Sequence, residues 1–151
     1  MRVRGFEVCD WCVDEEVKLP SRVTSAAAGY DFFVLRETTI APSTFGSKPT
    51  LVETGIKAYM KQDEVLFLFS RSSLAKQGLQ LANCVGVVDA DYYGSPGNDG
   101  HIMFALWNFS NTPVTLRAGE RIGQGIFSKY NLADNDLAAG IRGGGFGSTG
   151  K

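Results

Sequence analysis

The apolar and β-branched residues of this sequence come in short runs separated by turn-forming residues, and helical periodicity is scarce. The 18 glycines supply many of the turns. Such a pattern is typical of an all-β sandwich or barrel. We therefore predict strands over residues 2–8, 30–35, 38–41, 50–58, 64–70, 79–89, 102–109, 114–116 and 123–130.

One short helix is expected among these strands. Ser72 or Ser73 can cap a helical turn over residues 74–77, and Gly78 can end it. The strand 102–109 carries apolar residues on both faces, which indicates that both faces are buried. In a chain of 151 residues, a subunit interface is one way to cover the second face.

The chain is predicted to form one β domain, residues 1–139, followed by a glycine-rich arm, residues 140–151. The arm has no apolar periodicity, so by itself we expect it to be mobile. No apolar run approaches membrane-spanning length, and the first residues lack the order of a signal peptide. These features predict a cytoplasmic protein, or one in the host cytoplasm if a phage encodes it.

Charge and residue counts disfavour several classes of function. With 15 basic and 16 acidic residues, the chain lacks the basic surplus that direct nucleic-acid binding requires. A single histidine, His101, disfavours zinc hydrolases and histidine triads, and we interpret it as structural or solvated. The three cysteines, at positions 9, 12 and 84, are interpreted as reduced thiols rather than a disulfide, redox or zinc site.

Asp89 is the strongest catalytic candidate that the residues themselves suggest. It directly follows the apolar run at 85–88, where a carboxylate is costly to bury without a task or a partner. It could serve as a general base toward water. Asp91 lies two residues on, so a shared metal ion is a second possibility. A solvated turn with both carboxylates outside remains an alternative.

Several segments offer groups that suit phosphate. Arg71, Ser72 and Ser73 stand at the mouth of the predicted helix, although an ordinary helix start explains them equally well. The glycine amides of the arm could cradle phosphate oxygens. Phe146 stands among these glycines, as an exposed ring that could stack on a flat ligand would. A tail without a function is the alternative.

Five segments in this order resemble the trimeric dUTPase family, and they span nearly the whole chain. They are 28–31 (Ala-Gly-Tyr-Asp), 71–75 (Arg-Ser-Ser-Leu-Ala), 83–94 (centred on Gly-Val-Val-Asp-Ala-Asp-Tyr at 86–92), 119–124 (Gly-Glu-Arg-Ile-Gly-Gln) and 144–150 (Gly-Gly-Phe-Gly-Ser-Thr-Gly). The third and fifth are specific. The others contribute mainly through order and spacing.

The resemblance implies a jelly-roll subunit in a homotrimer, with each active site built from three chains and the arm closing over a neighbour's site. It implies hydrolysis of dUTP to dUMP and pyrophosphate by attack of water on the α-phosphorus. That reaction limits uracil incorporation into DNA and supplies dUMP for thymidylate synthesis. Mg²⁺ is implied as a cofactor held by the substrate phosphates and water. No direct protein ligand is expected, although Asp31 is a candidate for contact through water.

The resemblance also assigns roles to single residues. Asp89 matches the base that orients and deprotonates water, and Tyr92 matches the tyrosine that packs on deoxyribose and leaves no room for a 2′-hydroxyl. The hairpin that reads uracil is matched by Asn83, Gly86, Val88 and Met103. The phosphate contacts are matched by Arg71, Ser72, Ser73, Gln124 and Arg142. In the arm, Phe146 matches the ring that stacks on uracil, and the phosphate donors are matched by Gly147, Ser148 and Thr149.

Two features depart from the family pattern. Arg142 stands four residues before Phe146 rather than five, so its approach to the phosphates is left open. Residues 95–100 (Ser-Pro-Gly-Asn-Asp-Gly) look like an insertion that could cover the arm or bind a regulator. The alternatives are a dCTP deaminase of the same fold and a non-catalytic binding module, such as a phage regulatory protein.

Overall fold

The computed structural model describes residues 1–143 and confirms the predicted all-β class. Its elements within this range are β1 Gly5–Val8, β2 Tyr30–Phe33, β3 Thr38–Ile40, β4 Thr50–Tyr59, β5 Glu64–Ser70, α1 Ser72–Lys76, β6 Leu79–Leu81, β7 Gly86–Asp89, β8 Ile102–Asn108, β9 Val114–Leu116 and β10 Arg121–Lys129. Two single-turn 3₁₀ helices cover Asp10–Cys12 and Ala90–Tyr92.

Two antiparallel four-stranded sheets form the body of the jelly-roll-like sandwich. One has the order β1-β4-β8-β6 and the other the order β2-β10-β5-β7, while β3 and β9 form a separate two-stranded sheet. The side chains between the sheets are fully buried, and they include Phe32, Val52, Leu66, Phe104 and Ile122. Burial of such large apolar side chains is the dominant stabilising contribution to a fold of this kind.

The prediction of one strand over residues 79–89 is wrong. The chain forms β6 and β7 instead, and these belong to different sheets, because a tight turn intervenes. In this turn Cys84 adopts a left-handed backbone with φ 63°, and Val85 N donates to Asn83 O at 2.6 Å. A non-glycine residue at positive φ is uncommon, so the sequence carries no clear signal for the turn.

The short helix forms as predicted, but its expected cap is wrong. Arg71 occupies the N-cap position, and no side chain caps the helix there. The residue that directly precedes the helix and has an extended backbone is thus Arg71. Ser72 and Ser73 lie inside the first turn. Gly78 ends the helix with φ 80°, a conformation that glycine adopts at little cost.

Strand β8 alternates in burial along its length. Ile102, Phe104 and Leu106 are buried in the core, whereas the opposite face, with Met103, Ala105 and Trp107, is half-buried in the single chain. If this second face is to be buried as predicted, it must pack against a surface outside the described part of this chain. Among residues 1–143, no helix is long and apolar enough to cross a membrane.

Candidate active site

A cavity of about 340 Å³ lies between the turn that joins β6 to β7, strand β7 itself and the start of β8. It brings together seven of the predicted site residues, namely Asn83, Gly86, Val88, Asp89, Tyr92, Met103 and Arg142. The sequence did not suggest its further lining residues, which are Leu68, Val85, Val87, His101 and Ile102. The cavity is thus lined by both apolar and polar groups, with Asp89 and Arg142 at its rim.

Strand β7 forms one wall of this cavity, and a close approach to β5 sets its position. It is the edge strand of its sheet, so one row of its backbone N–H and C=O groups points away from β5. Gly86 is required for the approach, because a Cβ added there would lie 2.9 Å from Cβ of Leu68. The glycine in the Gly-Val-Val-Asp segment therefore allows the backbone itself to be presented to a ligand.

Asp89 is the last residue of β7, and its side chain is half exposed at the rim of the cavity. Its carboxylate accepts a hydrogen bond from Arg142 Nη2. Asp91, in the following 3₁₀ helix, accepts a bond of 2.7 Å from Arg142 Nε. These two ion pairs raise the pKa of Arg142, with the hydrogen bond to Asp91 as the largest cause. Two carboxylates thus share one guanidinium.

Tyr92 lies at the inner side of the cavity and is buried, with 8% of its surface exposed. Its hydroxyl donates to the backbone oxygen of His101 at 2.7 Å and accepts from Asn98 Nδ2 at 2.8 Å. Burial raises the pKa of the phenol. The ring is therefore neutral and fixed, which suits a side chain that shapes a pocket rather than one that transfers a proton.

His101 is buried and structural, the first of the two alternatives that the sequence left open. Its Nε2 accepts hydrogen bonds from the backbone N–H groups of Gly55 at 3.0 Å and Thr54 at 3.3 Å. The proton of the neutral imidazole is therefore assigned to Nδ1. Burial lowers the pKa of the imidazole. The side chain holds strand β4 against the start of β8, while the backbone oxygen of His101 holds Tyr92.

The remaining predicted residues lie at the other end of the same sheet. Gln124 on β10 pairs with Asp31 on β2, and the side chain of Gln124 packs over Gly29, where an added Cβ would meet its Oε1 at 2.0 Å. Asp31 lies 3.8 Å from Arg121 Nε. On the opposite side of β10, Gln124 pairs with Phe69, so this group lies beside the start of α1 at Arg71, Ser72 and Ser73.

Asp89 and Arg71, one from each group of predicted residues, are far apart within one chain. Asp89 is paired with Val65 at the start of β5, whereas Arg71 follows Ser70 at its end. Five residues of extended strand correspond to about 17 Å. The predicted arm residues Phe146, Gly147, Ser148 and Thr149 lie outside the part of the chain that the structure describes. A single chain therefore does not bring all the predicted contacts to one ligand.

Comparison with known proteins identifies the family. Residues 15–150 match the family profile described as dUTPase. The chain belongs to the dUTPase family. Its relatives include the deoxyuridine 5′-triphosphate nucleotidohydrolase of Lactococcus lactis, which is 42% identical over 99% of this chain and 99% of that protein. The corresponding protein of Actinobacillus pleuropneumoniae serotype 5b is 35% identical over 100% of this chain and 99% of its own length.

Solved structures agree with this membership. The crystal structure of dUTPase from Streptococcus mutans has 46% sequence identity and a TM-score of 0.78, and it covers 87% of this chain and 99% of that chain. The dUTPase of Staphylococcus bacteriophage 80alpha has 16% identity and a TM-score of 0.70, and covers 94% of this chain and 99% of that one. At that identity the phage protein shows the shared fold alone.

For a member of the dUTPase family, the arrangement of acidic groups bears on how a metal ion would be held. Among residues 1–143, no group of three or more histidine, cysteine, aspartate or glutamate side chains is placed to hold one. The prediction that Asp89 and Asp91 form a shared metal site is not supported by their geometry, since Arg142 lies between them. Asp31 has only a long contact with Arg121, so its carboxylate retains capacity to accept from a metal-bound water.

Proposed function

We propose that this dUTPase family member hydrolyses dUTP to dUMP and pyrophosphate in the cavity beside β7. The observation that carries the proposal is the half-exposed carboxylate of Asp89 at the rim of a pocket whose walls are the backbone edge of β7 and the ring of Tyr92. A hydrolytic site specific for one nucleotide needs such a combination. A flat slot with apolar walls and polar edges selects the nucleobase, and the carboxylate activates water.

The segment from Asn83 to Val88, which comprises the tight turn and most of β7, reads the uracil. Uracil presents one N–H donor between two carbonyl acceptors, and the outward backbone groups of the edge strand β7 offer the complementary acceptor and donors. The Asn83 amide adds a donor at the turn. Gly86 allows β7 to lie close to β5, and we expect the walls of the slot to exclude a methyl group at C5 of the base by sterics.

Asp89 orients a water molecule for attack on the α-phosphorus and takes its proton. In the free protein the carboxylate is bound to Arg142, and a triphosphate offers that guanidinium a stronger anionic partner. Transfer of Arg142 from the carboxylates to the phosphates would free Asp89 to bind water. Arg142 would then stabilise the negative charge of the transition state.

The active site is assembled from several chains of a homotrimer. Arg71, Ser72, Ser73 and Gln124 bind phosphates beside the Asp89 of another chain, which explains the separation of about 17 Å within one chain. The half-buried outer face of β8, with Ala105 and Trp107, offers apolar surface for the subunit contact. Residues 144–151 complete a neighbour's site.

Mg²⁺ fits this site as an ion bound mainly by the substrate. The triphosphate supplies the oxygen ligands that Mg²⁺ prefers, and we propose that Asp31 contacts the hydrated ion through water. When bound, Mg²⁺ neutralises phosphate charge and favours departure of pyrophosphate. The structure of the phage phi11 dUTPase records a structural Mg(II) ion in that protein. A cytoplasmic location remains a prediction.

The decisive experiment is an assay of pyrophosphate release from dUTP, dTTP, dCTP and UTP, with Mg²⁺ and with EDTA. The proposal expects release from dUTP in preference to the other three by at least roughly 100-fold, because a misfit in a rigid site costs several kcal/mol. Release of ammonia from dCTP would support the deaminase alternative. Binding of dUTP without any turnover would support a non-catalytic module and overturn the proposal.

A further inference from the structure

The hydroxyl of Tyr92 lies at the centre of a short chain of hydrogen bonds. It donates to His101 O at 2.7 Å and accepts from Asn98 Nδ2 at 2.8 Å. A phenol has one proton to donate, so its donor is used and one acceptor position is filled. A ring tethered from two directions cannot swing about its side-chain torsions without losing a buried bond.

Asn98 is itself held in one orientation. Its Oδ1 accepts from Gly100 N at 3.1 Å, which assigns the opposite end of the amide, Nδ2, to Tyr92. Its backbone oxygen accepts from His101 N at 3.0 Å. Both ends of the side chain are therefore engaged, and Asn98 connects residues 94–100, here called the 94–100 loop, to the pocket.

The 94–100 loop is fixed to the β-sandwich by an ion cluster around the buried Lys57. Lys57 on β4 has a side chain only 6% exposed, and its Nζ lies 2.8 Å from Asp99 Oδ2 and 3.0 Å from Asp10 Oδ1. Asp99 Oδ2 also accepts from Asp10 N at 2.9 Å. A buried ammonium that lost these carboxylates would be left unpaired at high cost, so the cluster holds the loop in place.

Two neighbouring residues of the loop have positive φ angles, which residues with a side chain rarely adopt. Asp99 adopts φ 59°, which is uncommon for a residue with a side chain, and Gly100 adopts φ 77°. A Cβ added at Gly100 would lie 2.4 Å from the backbone oxygen of Tyr92. The loop therefore packs directly on the residue whose hydroxyl it binds, and it is built to hold that residue.

We infer that Asn98 is a positioning residue for sugar selection, which sets the ring of Tyr92 so that deoxyribose fits the pocket and a 2′-hydroxyl is excluded. The inference rests on the proposed function, because it requires that Tyr92 faces the sugar of a bound nucleotide. Steric exclusion of one hydroxyl depends on where the ring stands to within a fraction of an ångström. Loss of the Asn98 amide leaves the ring tethered on one side alone.

The test compares kcat/KM for dUTP and UTP in the full-length protein, Asn98→Ala, Tyr92→Phe and the double variant. Asn98→Ala and Tyr92→Phe each lower the dUTP-to-UTP ratio by roughly 3- to 10-fold, the range that one net hydrogen bond supplies. The double variant lowers the ratio no further than Tyr92→Phe alone, because Tyr92→Phe already removes the bond to Asn98 together with the bond to His101 O. A purely structural role would instead give additive losses.

Ser95→Ala is the matched control in the same loop. The Ser95 hydroxyl is buried and has no hydrogen-bond partner among the described residues, so its removal leaves the Tyr92 bonds intact and the ratio unchanged. If Asn98→Ala fails to fold, Tyr92→Phe removes the same bond from the other side, together with the bond to His101 O. An unchanged ratio in folded Asn98→Ala, an unchanged ratio in Tyr92→Phe, or an equal fall in Ser95→Ala overturns the inference. Absence of dUTP turnover in the unaltered protein overturns the proposed function instead.

Discussion

Arg142 Nη2 donates a hydrogen bond to the carboxylate of Asp89, the residue that the family resemblance casts as the base. The carboxylate oxygen that accepts from the guanidinium is occupied and is not open to a water molecule. We therefore expect Arg142 to move to the phosphates when substrate binds. Arg142, whose spacing from Phe146 departs from the family pattern, thus has Asp89 as an ion-pair partner in the free protein.

Replacement of the base tests the chemistry directly. Asp89→Asn keeps the shape of the side chain and leaves Arg142 its 2.7 Å bond to Asp91, so the fold and dUTP binding are retained. Turnover should fall by roughly 100- to 10,000-fold, as expected for loss of a general base. Single-turnover assays together with dUTP binding by calorimetry measure the two effects separately.

Asp91→Asn is the control for that variant. Like Asp89→Asn, it removes one negative charge and one carboxylate partner of Arg142. It leaves Asp89 in place. Turnover should change by less than about tenfold, the effect of one exposed ion pair or somewhat more. If Asp89→Asn also retains a rate within tenfold of the unaltered protein, Asp89 is not the base.

The sequence predicted the parts of this molecule that depend on local pattern. Strands 64–70 and 114–116 were predicted residue for residue, and the apolar face of β8 with Phe104 is in the core as expected. The division of 79–89 was missed, because Cys84 at positive φ gives no turn signal. Periodicity reports local structure, whereas assignment of β6 and β7 to different sheets depends on long-range pairing.

The residues of the candidate site likewise divide into those that local sequence predicts and those that depend on long-range contacts. Seven predicted residues line one cavity, and five of them lie within residues 83–92, where motif reasoning finds them, while Met103 and Arg142 come from β8 and from beyond β10. The contact of Asn98 with Tyr92 was not predicted, since 95–100 was interpreted as an insertion that could cover the arm or bind a regulator. Its only sequence signal was the density of turn residues, which indicates a rigid loop but not what the loop touches.

Gly86→Ala tests the tight packing of β7 on β5. The added Cβ would lie 2.9 Å from Cβ of Leu68, so the strands must separate. We expect a loss of about 1–3 kcal/mol in the free energy of unfolding, as for overpacked sites, together with a higher KM for dUTP. Urea denaturation and steady-state kinetics measure these effects. Gly140→Ala, where an added Cβ meets nothing within 4 Å, should show neither.

The buried His101 predicts a dependence of stability on pH. Burial lowers the pKa of the imidazole in the folded state, so below an unfolded pKa of about 6.5 the unfolded chain binds more protons. The free energy of unfolding should therefore be full above pH 6.5 and fall as the pH decreases, by up to about 1.4 kcal/mol per pH unit. The carboxyl groups of Glu64 and Asp99, whose pKa values are lowered, contribute below about pH 4.5.

Urea denaturation between pH 5 and 7.5, at one protein concentration, measures this dependence. In His101→Gln the slope between pH 5 and 6.5 should disappear, although the variant is less stable throughout because the flexible glutamine amide does not reproduce the fixed Nε2 that accepts from Thr54 and Gly55. A slope that persists in this variant would assign the titration to another group.

Removal of residues 144–151 should separate folding from catalysis. The hydrophobic core is made of residues between Phe32 and Ile122, with Phe6 and Phe127 packed against it, so the shortened chain should fold and assemble. Turnover should fall by roughly 100-fold or more, the cost of losing transition-state donors. Circular dichroism, size-exclusion chromatography and pyrophosphate release test this. Unfolding of the shortened chain would mean that these residues are structural.

Subunit mixing tests whether Asp89 of one chain works with Arg71 of another. Homotrimers of Asp89→Asn and of Arg71→Ala should each be nearly inactive, because every site lacks one group. After equimolar mixing under conditions that exchange subunits, a site is intact when its Asp89 comes from an Arg71→Ala chain and its Arg71 from an Asp89→Asn chain.

Random assembly makes about a quarter of the sites intact if the two groups come from different chains. Pyrophosphate release should therefore recover to about a quarter of the unaltered rate. If both groups of a site came from one chain, every site would still lack one of them and no activity would return. The separation of about 17 Å along β5 between Val65, which pairs with Asp89, and Ser70, which precedes Arg71, favours the first outcome.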